Sequence, residues 1–226
     1  MYFTALRIVI AIGCCSVSGC AWSAEPLSLE ACVALIEQLA NPDKPPFSKK
    51  HANFLPKGVA ESSLEKSQRP MREAYNALSD NIEVALPLLV KHCKDERFSC
   101  VYEDKISGTF NRLSVADACR AILTAHVDVF QQAVAKPSDG EGRKYRMRFD
   151  YPPTGDFDKW WEDRKTSSLA DLQLERIEWA ANQPQPEYFT AGEWTAARKS
   201  LQKMADEIKQ SKRPLPVKHT LTFFSK

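Results

Sequence analysis

The chain has no block of one charge, no glycine-rich loop and no histidine cluster, and each absence removes a class of function. Its 226 residues carry 31 Lys and Arg against 29 Asp and Glu, a formal net charge of +2. Signs this evenly mixed leave no basic stripe for a phosphate backbone, so nucleic acid is not an expected partner. Eight glycines are too few for a collagen-like repeat, and none builds a phosphate-cradling loop. The four histidines stand apart at His51, His92, His126 and His219. H-E-x-x-H and G-x-S-x-G are both missing, which removes the zincin and nucleophile-elbow chemistries. No cofactor is expected. A mean hydropathy of -0.40 with 43% hydrophobic residues fits neither a disordered nor a polytopic membrane chain, and the length suits one substantial core.

What is present begins with an export segment. MYFTALRIVIAIGCCSVSG has Arg7 as its only charge and then an apolar run from Ile8 to Val17, too short to span a bilayer comfortably. Two cuts compete. Ala21 and Ser23 suit signal peptidase cleavage before Ala24. Val17-Ser18-Gly19-Cys20, a branched aliphatic, two small residues and a cysteine at the end of the apolar run, resembles the lipobox of bacterial lipoproteins. That resemblance implies lipid attachment at Cys20 and is the favoured form. Two or more acyl chains give a stable anchor where one gives marginal binding, so the lipoprotein form expects a membrane partner and the alternative a periplasmic or secreted protein.

Cys14 and Cys15 belong to the signal, and Cys20 is lipidated or removed. Cys32, Cys93, Cys100 and Cys119 remain, an even number of the kind that forms two disulfides after export. Cys93 and Cys100 flank KDERFS, so local closure favours that pair and leaves Cys32 with Cys119. A zinc site from His92, Cys93, Cys100, Cys119 and His126 is disfavoured. Adjacent His92 and Cys93 diverge on a helix, and no C-x₂₋₄-C knuckle exists. On the face of Val115, Cys119, Ile122 and Phe130, His126 is expected to be a satisfied core histidine.

Periodicity predicts mostly helix. Ser28 starts one to about Ala40 with Leu29, Cys32, Val33, Ile36 and Leu39 on one stripe, and the proline-rich 41–46 stretch ends it. A polar segment to about Gln68 reads as extended loop, with Pro70 opening the next helix. REAYNALSDNIEVALPLLVKHCKD resembles one HEAT-type unit, a helix, an Asp/Asn turn and an Ala-Leu-Pro-Leu-Leu helix. No second copy follows, so a solenoid is not implied. Phe98 to Tyr102 predicts a short strand before a turn at Gly108. Ser114 with Asp117 caps SVADACRAILTAHVDVFQQAV, and helices over 158–164, from Ser168 and from Thr190 complete the chain. VADACRAIL and WWEDRKTSSLADLQLERIEWA look like segments of uncharacterised exported bacterial helical proteins, a resemblance that implies a fold and no activity.

The expected fold is therefore mainly α: an irregular bundle of helical hairpins with a HEAT-like unit and at most short strands. Residues 1–23 (1–19 in the lipoprotein form) are the export segment. Residues 24–226 are one domain with a long loop near 41–68 and a linker-like stretch near 136–157. The expected role is recognition of a protein or envelope component through grooves between helices. The alternative is an envelope glycan hydrolase built on DFDKWWEDR. There Asp158, Glu162 and Asp163 beside Trp160 and Trp161 would supply paired carboxylates and sugar-stacking rings.

Overall fold

The computed structural model describes residues 27–104, 108–129, 157–187 and 189–217. The export segment with Cys20, almost all of the 136–157 stretch and the last nine residues lie outside them. Among the described residues the order is α1 (Leu29–Leu39), β1 (His51–Ala52), α2 (Glu61–Asp80), α3 (Ile82–Lys91), β2 (Phe98–Asp104), β3 (Thr109–Ser114), α4 (Val115–Val127), α5 (Phe157–Glu162), α6 (Leu169–Ala181) and α7 (Ala191–Ser211). The fold is mainly helical with one small sheet, as the periodicity implies.

Side-chain caps set the helix starts. Ser28 accepts from the Ala31 amide at the head of α1. Ser114 with Asp117, Ser168 with Asp171 and Thr190 with Glu193 form complete capping boxes on α4, α6 and α7, satisfying donors that the first turn would otherwise leave orphaned. The buried face of α1 is narrower than its sequence stripe: Cys32, Ile36 and Leu39 are buried, while Leu29 and Val33 are about half exposed.

The loop expected to reach Gln68 ends earlier, because α2 begins at Glu61 and carries Pro70 in its interior. Pro70 and Pro87, the latter inside α3, are both on exposed positions. The carbonyl each leaves without a partner one turn earlier is therefore on the solvent side, where water can serve it. Upstream of Pro70 the apolar stripe runs through Leu64 and buried Gln68 to Met71, Tyr75 and Leu78. With its amide oriented to satisfy both groups, Gln68 donates to the Val101 carbonyl (3.0 Å) and accepts from the Val101 amide (3.1 Å).

Those contacts matter because the sheet order is β1-β3-β2, so β2 is an edge strand, and Gln68 covers the edge a neighbouring chain would otherwise find. β2 and β3 pair antiparallel, Val101 with Arg112 and Asp104 with Thr109, with an irregularity between Phe98 and Cys100. Gly108 takes φ +67 at the turn, a conformation that glycine adopts without a Cβ clash.

The helix, turn and helix read from REAYNALSDNIEVALPLLVKHCKD form as α2, Asn81 and α3. Their main packing partners are elsewhere, α2 along α1 and α3 along α4. α1 runs antiparallel to α2: the Leu27 amide reaches Asn81 Oδ1 (3.0 Å) and Gln38 reaches the Pro70 carbonyl (3.3 Å). One cluster of buried residues joins α1 to α4 with Trp160 and Leu169. A second joins α6 to α7 with Val129 and Phe189.

Candidate functional site

The described carboxylates of the 156–163 patch, Glu162 and Asp163, are both exposed. Glu162 pairs with Lys165 (3.0 Å) on an exposed surface, and Asp163 is exposed one residue past the end of α5. Asp158 belongs to α5, and its side chain lies outside the described residues. Trp160 is buried in the first core cluster, and Trp161 packs partly against it. The indoles lie 6.2 Å apart, and Arg164 covers the Trp160 ring at 5.6 Å while pairing with Glu175 (2.6 Å). One ring packs inward, so no open stacking platform for sugar is formed by the pair.

Among the described residues Cys32, Cys93, Cys100 and Cys119 are thiols in the structure, and all four are buried. Burial pushes the Cys32, Cys100 and Cys119 thiols up, that of Cys100 to about 12, which leaves little thiolate at neutral pH and makes them poor nucleophiles. His92 does not serve Cys93. Its ring bonds Asp95 (3.1 Å) while Cys93 Sγ donates to the Leu89 carbonyl (3.3 Å). Among the described residues no group of three or more His, Cys, Asp and Glu side chains could hold a metal ion.

A buried polar chain singles out another place. His126, in the last turn of α4, is buried and its Nε2 lies 2.8 Å from Ser79 Oγ in the last turn of α2, the satisfied core histidine that the sequence implies. Its backbone carbonyl accepts from Gln173 Nε2 (2.8 Å). The Gln173 amide also brackets Leu215, accepting from its N–H (2.7 Å) and donating to its carbonyl (3.2 Å). Nearby, fully buried Arg176 pairs with Asp128 (2.5 Å) and stacks on Trp179 at 4.2 Å.

Above this chain opens a cleft of about 710 Å³, walled by Asn76, Asp80 and Glu83 on one side and by Leu169 and residues 214–217 on the other. Ser79 and His126 form its floor. They resemble a nucleophile and base. Yet Ser79 lies inside a helix whose amides are bonded along the helix axis, so its own helix offers its oxygen no pair of backbone N–H groups as an oxyanion hole. Asp80 and Glu83 are both exposed, and neither makes a hydrogen bond or ion pair among the described residues. The cleft thus presents two available carboxylates, an amide and an apolar wall.

A second cleft of about 630 Å³ carries Lys50, Lys94, Arg112 and Arg120 with Glu96 and Asp117. Most of its charge is committed. Arg112 donates to the Ser48 carbonyl (3.1 Å), Arg120 to the Cys93 carbonyl (2.5 Å), and Asp117 closes the α4 capping box. The first amides of α4 are also taken, Val115 by the Arg97 carbonyl and Ala116 by the Asp95 carbonyl, so that helix start has no donor left for an anion.

Sequence reasoning missed the first cleft because its walls come from four separate parts of the chain, and only the helix periods of Ser79 and His126 were visible. Comparison of the chain with protein-family models, curated proteins and solved structures finds no match.

Proposed function

We propose that the mature chain is a lipid-anchored helical module of the cell envelope that recognises a protein partner through the acidic cleft beside His126. The anchor rests on the VSGC lipobox. Among the described residues no helix is long and apolar enough to cross a membrane, so on this reading attachment falls to acyl chains at Cys20. The observation that carries the recognition role is the pair of available carboxylates, Asp80 and Glu83, at the rim of a cleft with a rigid polar floor. Two negative charges against no formal positive charge among the described lining residues select a cationic group, a Lys or Arg side chain of the partner, with the apolar wall at Leu169 and Pro214 taking its aliphatic stem.

A zero-length carbodiimide cross-link in intact cells tests this, because it joins a carboxylate to an amine in direct contact. Cross-linked peptides should join Asp80 or Glu83 to a lysine of another protein, and a protein carrying Asp80→Asn with Glu83→Gln should lose that species. The same cross-linked species from the wild-type and doubly substituted proteins would contradict the reading.

A further inference from the structure

Three contacts line up in order between the chain leaving α3 and the start of α4. The Val115 amide bonds the Arg97 carbonyl (2.9 Å), and the Ala116 amide bonds the Asp95 carbonyl (2.8 Å). Arg120 Nη2 bonds the Cys93 carbonyl (2.5 Å). As the chain steps back from 97 to 95 to 93, its partners step forward from 115 to 116 to 120. Cys119 is the residue before Arg120, whose side chain reaches the Cys93 carbonyl, on a helix that packs along α3. The next position back on the facing segment is Cys93. Both residues are buried, Cys93 at 3% and Cys119 at 0% exposure, inside one core cluster.

The other two thiols are drawn elsewhere. Cys100 is in β2, in register with Leu113 of β3, and its neighbour Val101 is held by Gln68 of α2. Cys32 is in α1, whose antiparallel run against α2 sets it opposite the middle of that helix, between the 27–81 and 38–70 contacts. We propose that Cys93 and Cys119 form the one disulfide of this protein, stapling the end of α3 to α4, and that Cys32 and Cys100 remain thiols. The pairing follows from the fold and not from the processing of Cys20. The proximity of the two thiols also raises the Cys119 thiol beyond the effect of burial. On oxidation one S–S bond forms between the two sulfurs. The two protons and two electrons lost pass by thiol–disulfide exchange to a disulfide donor, which is reduced to two thiols.

The test uses the full chain with Cys14→Ser, Cys15→Ser and Cys20→Ser, so that it does not depend on export. The reduced, unfolded protein is refolded in a buffer of reduced and oxidised glutathione, quenched, alkylated under denaturing conditions and digested with trypsin. Lys and Arg sites at 91, 94, 97, 105, 112 and 120 place Cys93, Cys100 and Cys119 on separate peptides. The expected result is an intact mass, taken before alkylation, about 2 Da below the reduced chain, then labels on Cys32 and Cys100 and a linked peptide joining HCK to LSVADACR. A dominant link between any other pair, or four labelled thiols at equilibrium, would overturn the pairing.

Discussion

Asp95 is the residue at which charge does most for the turn between α3 and β2. Arg97 donates to both its oxygens and His92 bonds it as well. The same guanidinium reaches back to Glu37 of α1. Hydrogen bonding from Arg97, reinforced by His92, holds the Asp95 carboxyl down at about 2 against an ordinary 3.8. A depressed carboxyl contributes stability that is complete above its unfolded pKa and is lost as pH falls through the folded one. Asp95→Asn should therefore lower the unfolding free energy by on the order of 2 kcal/mol at neutral pH. The deficit should shrink between pH 4 and pH 2, as read by denaturant melts at each pH. A deficit that stays constant across that window would show that the charge is not its source.

The pair Ser79 and His126 makes a different demand, since both are buried and a hydrogen bond joins them. Ser79→Ala removes the partner of the imidazole Nε2 and should cost about 1–3 kcal/mol. Adding His126→Leu to that variant should cost little more, because removing both partners spares the unsatisfied group. Additive losses in urea melts would mean that the two side chains act separately. His126 was legible as a core residue from its apolar stripe. Its partner was not, because a serine in the last turn of one helix carries no signal of the helix it will meet.

At the scale of elements, the caps were the most legible feature. Ser28, Ser114, Ser168 and Thr190 each start the helix that sequence assigns to them, since a cap is a contact within four residues. The strand at Phe98 and the turn at Gly108 were visible for the same local reason. β1 was not: two residues, His51 and Ala52, become strand only because β3 offers them an edge. α2 shows where local reasoning fails. Pro70 was a sound helix start by propensity, but the stripe from Leu64 through Gln68 continues behind it, and Gln68 is apolar in position rather than in chemistry.

That correction has a consequence for stability. An interior proline costs up to about 3 kcal/mol relative to alanine in a helix, and Pro70 is exposed, so burial of its ring offsets little of this. Pro70→Ala should restore the missing N–H and raise Tm by several degrees in a thermal melt. A proline at the first turn would give no gain on the same substitution, because its N–H would have been unsatisfied anyway.

As a whole molecule, the fold places a helical body with a small sheet next to a C-terminal strap that Gln173 holds against the floor of the acidic cleft. The helical class could be read from sequence. The cleft could not, being a product of how α2, α3, α4, α6 and residues 214–217 meet. Of the carboxylates prominent in the 156–163 sequence, Glu162 and Asp163 lie at an exposed helix end, and the packing of Trp160 explains why a ring stands beside them there. The account that joins these observations is of a recognition module held at the envelope by its N-terminus. Its anchor is tested most directly by the mass of the N-terminal peptide of the native protein recovered from membranes. The account predicts a peptide beginning at Cys20 and carrying diacylglycerol, absent in a Cys20→Ser protein. An unmodified N-terminus at Ala24, in protein recovered from the soluble fraction, would contradict it.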